Sequence, residues 1–352
     1  MGAEIDKFLR FLVDNDGSDL MLASGSKPMI RVHGDLFALD FGGSSSVLSM
    51  DVTRTFIYEI LSDEQIRRFE RSGDLDFAYE VPGCARFRSN VYKQTRGLGI
   101  VLRTIPNRIK TIEELGLPPG VKQLARSTRG FILCTGPTGS GKTTTLAAII
   151  DLINQERRAH IVTIEEPIEY VHKNAKSLIT QREVGLHTHS FKAALRSAVR
   201  QDPDIILVGE MRDLDTISMA LTTAEMGALV FGTLHTTSAA KTVNRIIDVF
   251  PYAERNRIRA LLAEALTGVV AQQLIRRADG KGRVAVAEIM VGTSAISNTI
   301  REGKIEQMVT LMETGKKHGM QMLDEHLKRL VQECVITPTA ARRVATNKAM
   351  FR

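Results

Sequence analysis

Phe131-Ile132-Leu133-Cys134-Thr135-Gly136-Pro137-Thr138-Gly139-Ser140-Gly141-Lys142-Thr143 is the stretch from which the rest of the chain can be organised. Its first five residues form a short apolar run of strand character. From Gly136 onward it fits G-x-x-x-x-G-K-[ST] in full. In such a turn, glycines let backbone N–H groups converge on phosphate oxygens, and the N-terminus of the following helix adds favourable partial charge. Gly136, Pro137, Thr138, Gly139, Ser140, Gly141, Lys142 and Thr143 are therefore assigned to phosphate binding. Lys142 is expected to reach the β- and γ-phosphates, and the Thr143 hydroxyl to bind Mg²⁺.

Three further apolar runs follow: Ile161 to Ile164 ending at Glu165, Ile205 to Val208 ending at Gly209 and Glu210, and Ala228 to Leu234 ending at His235. Helical segments separate them, which predicts an α/β domain with a parallel sheet covered on its faces. Ligands bind beyond the carboxyl ends of such strands, so four strand ends predict one site. Glu210 stands where the acid of a Walker B strand belongs. Gly209 replaces the first acid of the usual Asp-Glu pair, so Glu210 is assigned to polarising the attacking water or holding metal-bound water. In Thr163-Ile164-Glu165-Glu166-Pro167-Ile168-Glu169, Pro167 biases Glu166 towards extended backbone, and Glu165 is a second candidate for positioning water. His235 can sense a γ-phosphate or bind a carboxylate. Arg196 and Arg200, spaced i and i+4, can neutralise charge on a transferring phosphoryl group. His187 and His189 share a face, but no third metal ligand accompanies them.

Upstream, Ile5, Phe8, Leu9 and Leu12 predict a short amphipathic helix. Strands are expected at Asp19 to Leu22, Met29 to Val32 and Gly97 to Leu102, with a helix over about Asp51 to Phe69. Ala85, Phe87, Ser89 and Val91 alternate with Arg86, Arg88, Asn90 and Tyr92, as in a half-buried strand. This α+β module occupies residues 1–104. Pro106, Gly116, Pro118, Pro119 and Gly120 mark a linker over 105–120, and the remaining domain runs over 121–352. Arg86, Arg88, Arg96 and Arg103 either stay exposed or close over nucleotide from the first domain. Asp279-Gly280-Lys281-Gly282 predicts a hairpin at the sheet edge. After Met290 the pattern is helical, with a core stripe at Leu323, Leu327, Leu330 and Val331.

A chain of 352 residues with 43% apolar and 25% charged residues is globular and long enough for two domains of about 100 to 200 residues. The longest candidate span, Ile217 to Leu234, carries Glu225 at its middle, against the roughly 18 apolar residues a membrane helix needs. The N-terminus has no basic region followed by an apolar core, and Asp6 stands where myristoylation needs Ser or Thr. Cys84, Cys134 and Cys334 lie far apart, which suits reduced thiols in a cytosol. Net charge is +7 but uneven: residues 1–117 hold 15 Lys and Arg against 17 Asp and Glu, the remainder 32 against 23. A basic second half suits either a nucleic-acid surface or arginines that meet nucleotide phosphates and acidic partners. With 5% aromatics and no Trp there are few platforms for base stacking, so a nucleic-acid-stimulated motor is the lesser alternative and no nucleic acid is expected as partner.

These motifs together resemble the secretion-type ATPases, and within them the retraction ATPases of type IV pili. The resemblance covers nearly the whole chain: Ser18-Asp19-Leu20, Arg86-Phe87-Arg88, the acidic box at Glu165 to Glu169, Gln181-Arg182-Glu183-Val184-Gly185, Asp202 to Arg212, and Gly232 to Thr236. It implies a PAS-like N-terminal domain, a RecA-like P-loop ATPase domain with a helical C-terminal region, and a homohexamer with ATP near the subunit junctions. By similarity Glu210 is the catalytic glutamate, Glu165 belongs to the acidic box, and arginines of the first domain complete the site. It further implies a cytoplasmic motor at the inner membrane that docks on a pilus platform protein and acts indirectly on pilin. Three positions depart from the family: Glu166 and His187 stand where Asp is usual, and Ala295 to Glu302 lacks the Arg and inner Leu of the motif AIRNLIRE, at Ser297 and Thr299. The departures keep an accessory role open. Assembly and secretion relatives usually carry a tetracysteine module and an extra N-terminal domain, so retraction is favoured over assembly.

Overall fold

A computed structural model describes residues 3–32, 34–39, 47–105 and 108–351. They form two compact units, Met1–Arg108 with Pro167–Tyr170, and Ile109–Glu166 with Val171–Arg352.

The first unit is built on β1 (Gly17–Ala23), β2 (Met29–Val32), β3 (Asp35–Ala38), β4 (Asp74–Val81), β5 (Ala85–Gln94) and β6 (Gly97–Ile105). They hydrogen-bond in the order β3-β2-β1-β6-β5-β4, every pair antiparallel. Period 2 makes β5 two-faced: Ala85, Phe87, Ser89 and Val91 are buried, while Arg88 is exposed. The helix Asp6–Asp14 lays Leu9 and Leu12, with Ile5 just before it, into the same core as Phe69, Phe77 and Ile100. The single helix expected over Asp51 to Phe69 is in fact two, Met50–Tyr58 and Asp63–Ser72. Ser62 starts the second: its Oγ accepts the Gln65 N–H at 3.3 Å while Gln65 Oε1 accepts the Ser62 N–H at 2.9 Å. This reciprocal capping box satisfies two helix-terminal donors that a continuous helix would not expose.

Pro106, within the expected linker, lies outside the described residues. From Ile109 the chain belongs to the second unit, where Ile112 and Leu117 are buried and the helix Pro119–Ala125 packs with them.

The second unit contains β7 (Gly130–Thr135), β8 (His160–Glu165), β9 (Leu178–Glu183), β10 (Ile205–Val208), β11 (Leu229–Leu234), β12 (Leu266–Arg276) and β13 (Arg283–Val291). The order is β13-β12-β7-β11-β10-β8-β9, parallel throughout except for the β12–β13 hairpin at the edge. Alternation along β7 divides its side chains between two cores, Phe131 and Leu133 on one face and Ile132 and Cys134 on the other. Lys142–Glu156 covers the second face through Leu146, Ile149, Ile150 and Ile153. Phe191–Ala198, Leu214–Glu225, Ala239–Val249 and Arg255–Ala265 cover the first. Leu323–Gln332 buries Leu323, Leu327 and Leu330 against Val284 and Val286 of the hairpin, with Val331 only partly buried. β9 lies outside the expected strands, because its Thr-Gln-Arg-Glu end carries no apolar run.

Candidate active site

The carboxyl ends of β7, β11, β10 and β8 are neighbours, so the four expected strand ends meet on one edge of the sheet. The loop after β7 turns on glycines in left-handed backbone: φ is 143° at Gly136, 76° at Gly139 and 87° at Gly141. Gly136 and Ser140 are buried, Pro137, Thr138 and Gly139 are exposed, and the helix starts at Lys142. Lys142 Nζ donates to the carbonyl oxygens of Gly136 at 2.8 Å and Pro137 at 3.1 Å. Burial holds its pKa below the ordinary lysine value. Thr143, half-buried, occupies the first turn of the helix beside it.

Glu210 sits just past β10 with its carboxylate held from two sides. Arg212 approaches both oxygens, Nε to Oε1 at 2.6 Å and Nη2 to Oε2 at 2.7 Å, and His235 Nε2 lies 2.7 Å from Oε1. Burial, the largest influence, pushes this carboxyl up, but the hydrogen bonds and charges of Arg212 and His235 outweigh it and hold it below the ordinary carboxylate range. Glu210 is thus ionised at neutral pH and fixed in orientation. Of the two roles open to His235, the contact present here is the one to a carboxylate. The strand end itself is pinned, since Gly209 N–H donates to Ile164 O at 2.8 Å and Met211 N–H to Thr233 O at 3.2 Å. A Cβ at Gly209 would press on Ile164 O at 3.1 Å and Glu165 Cα at 3.3 Å. Close approach of two strand ends therefore explains glycine at the place of the missing first acid. Beside Glu210 a cleft of about 530 Å³ opens, lined by Arg212, Ile217, His235, Thr236, Arg245 and Val249 among others.

Glu165 is buried at the end of β8, where its Oε1 accepts from Thr163 Oγ1 at 2.7 Å and Gln181 Nε2 at 3.3 Å. Arg196 and Arg200 are exposed, the first on the helix Phe191–Ala198 and the second in the 3-10 turn after it, and neither joins the Glu210 cluster. His187 Nδ1 accepts the Glu183 N–H at 3.0 Å, and no cluster of three metal-ligating side chains occurs among the described residues. In the first unit, Arg103 Nε donates to buried Asp19 at 2.7 Å, Arg96 Nη1 to Gly25 O at 3.3 Å, and Arg86 Nε to Ile168 O at 3.3 Å. Arg88 Nη1 reaches Glu169 Oε1 at 3.0 Å, so the tail of the acidic stretch, Pro167–Tyr170, belongs with the first unit.

Two residues at these strand ends carry no clear signal in the sequence. Arg212 ends the Asp202 to Arg212 segment, and a lone Arg two residues after Glu210 carries no periodic signal. Gln272 belongs to no motif, and only its place as a buried amide inside β12 flags it.

A glycine-lined phosphate turn, a lysine at the helix start and an ionised glutamate on the strand end next but one define a P-loop nucleoside triphosphatase. Residues 74–345 match the family described as Type II/IV secretion system protein, and the chain belongs to that family. It is 51% identical over 342 residues to the type IV pilus retractation ATPase PilT of Pseudomonas aeruginosa, covering 97% of this chain and 98% of that one. It is 50% identical over 320 residues to a twitching motility protein of Neisseria gonorrhoeae, covering 91% of this chain and 84% of that one. The crystal structure of the pilus retraction motor PilT with bound ADP superposes with a TM-score of 0.90 at 40% identity, over 99% of both chains. The two units are accordingly the N-terminal domain and the RecA-like ATPase domain of this family, with helices at the C-terminal end. No helix among the described residues is long and apolar enough to cross a membrane.

Proposed function

We infer that this chain is an ATP-hydrolysing motor that powers type IV pilus retraction. The observation that carries the reading is an ionised, doubly held Glu210 on the strand end next but one to the phosphate loop, in a chain similar over its full length to retraction ATPases. On binding ATP, Lys142 exchanges the Gly136 and Pro137 carbonyls for β- and γ-phosphate oxygens, while the backbone N–H groups of Gly139, Gly141, Lys142 and Thr143 take the remaining ones. The Thr143 hydroxyl would hold Mg²⁺, which would supply charge neutralisation to the phosphates. The fit rests on the donor set present: a hydroxyl in the helix's first turn beside a lysine already aimed across the loop. Glu210, its oxygens engaged by Arg212 and His235, would orient and polarise the attacking water or hold a metal-bound water. Glu165 assists from the neighbouring strand end.

In the assembled protein we place six copies in a ring, with Arg196, Arg200 and the first-domain arginines Arg86, Arg96 and Arg103 supplying positive charge to nucleotide at the subunit junctions. The ring works in the cytoplasm against an inner-membrane platform protein and acts on pilin through it. Cells lacking the chain test the reading. Excess surface pili with lost twitching is the expected phenotype, whereas bald cells would make it an assembly motor. An accessory role is the second reading, favoured by Ser297 and Thr299; unchanged pili would establish it.

A further inference from the structure

Gln272 lies on β12, one residue beyond its last rung with β7, the pair Ala271 and Thr135. Its side chain is 2% exposed and makes two hydrogen bonds: Nε2 donates to Ser140 O at 2.7 Å, and Oε1 accepts from Thr145 Oγ1 at 2.7 Å. The amide's orientation is fixed by chemistry. A backbone carbonyl can only accept, so the nitrogen must face Ser140. The same residue shapes the loop sterically. A Cβ at Gly136 would overlap the Gln272 carbonyl oxygen, and a Cβ at Gly141 would come within 2.9 Å of Gln272 Nε2. Gly136 therefore makes room for the β12 backbone, and Gly141 for the Gln272 side chain.

We propose that Gln272 is a positioning residue for nucleotide binding, which sets the direction of the phosphate-loop N–H groups from outside the motif. The peptide that joins Ser140 to Gly141 is planar and trans, so its carbonyl and N–H point in opposite directions. Drawing Ser140 O towards β12 turns the Gly141 N–H the other way, towards the concave side of the loop. The bond from Thr145, one turn into the helix, holds the amide against rotation and ties the loop to the helix that carries Lys142. Opposite Gln272 on β13 is Ala287, whose N–H donates to His326 Nδ1 at 3.1 Å, so the brace continues into the C-terminal helix Leu323–Gln332.

This inference rests on the functional reading above, and a titration of labelled ADP into the full-length chain separates the two. The wild-type chain should bind; if it does not, the functional reading falls with the brace. Gln272→Met keeps the length and removes both hydrogen bonds. Its dissociation constant for the labelled ADP, and its KM for ATP, should rise about tenfold, as for loss of a bond to a buried carbonyl. Its kcat at saturating ATP should stay within about twofold, because Lys142 and Glu210 are untouched. Gln272→Glu, which keeps the acceptor for Thr145 but not the donor for Ser140, should lose as much affinity as Gln272→Met. Thr145→Val retains the donor to Ser140 but frees the amide to rotate, and should weaken binding about threefold. A purely structural Gln272 would lower the melting temperature and leave affinity unchanged at temperatures where the chain is folded. Unchanged affinity in Gln272→Met beside a binding wild type overturns the proposal; should that variant not fold, unchanged affinity in Thr145→Val does so.

Discussion

Glu210→Gln replaces the carboxylate at the centre of the site by its neutral isostere. In the native chain Oε1 receives Arg212 Nε at 2.6 Å and His235 Nε2 at 2.7 Å, and Oε2 receives Arg212 Nη2 at 2.7 Å. The glutamine amide can place its oxygen at the Oε1 position and keep two donors, so one bond and the charge are lost. The Arg212 side chain is 75% exposed, which limits the folding cost to about 1 kcal/mol. That corresponds to a fall in melting temperature of about 2–4 °C for a domain of this size. The catalytic cost is larger. Removing a positioned base takes about 10²- to 10⁴-fold from turnover, or roughly 3 to 5 kcal/mol of barrier. Phosphate release at saturating ATP should therefore fall at least about a hundredfold, while labelled-ADP affinity stays within about threefold. A variant that retains more than about a tenth of wild-type kcat would refute the assignment of Glu210 as the water-polarising group.

Gly136→Ala puts a Cβ onto the Gln272 carbonyl in a backbone with φ of 143°, so nucleotide binding should be lost and the melting temperature should drop; a variant that binds normally would contradict the loop geometry. Burial pushes the pKa of His172 and of His326 down to about 4, below the ordinary 6.5. Between these values the unfolded chain takes up protons that the folded chain refuses, so stability is complete above about pH 6.5 and falls as pH drops towards 4. At pH 5 each contributes a loss of about 2 kcal/mol, and His326→Gln should flatten the dependence of melting temperature on pH. Thr299 is 6% exposed with its hydroxyl donating to Ala295 O at 2.8 Å, so Thr299→Leu overpacks the helix Ser294–Glu302 and should cost about 1 to 3 kcal/mol in denaturant unfolding. Half-buried Ser297 has more room, and Ser297→Arg should leave ATPase turnover within about twofold while twitching assays report on its motor role.

Local features were legible in the sequence because their causes are local. The turn from Gly136 to Lys142 is set by glycine φ freedom, and β5 by strict alternation. The apolar strand cores of β7, β8, β10 and β11 could be found to within about one residue, since a buried parallel strand must be continuously apolar. The division at Ser62 was legible too, in Ser62 and Gln65 at capping-box spacing, but the apolar periodicity running through it masked the break.

The sequence alone determined that this chain has a phosphate loop, that glutamates and a histidine end the neighbouring apolar runs, and that a separate α+β module precedes them. Tertiary structure decided which strand ends are adjacent, that Arg212 and His235 share one carboxylate, that Pro167–Tyr170 leaves the second unit for the first, and that Gln272 reaches Ser140 across 132 residues. Backbone dihedrals and side-chain periodicity act over a few residues and are written in the order of the chain. Hydrogen bonds between distant strands depend on sheet order, which hydrophobic pattern leaves open because every buried parallel strand carries much the same one.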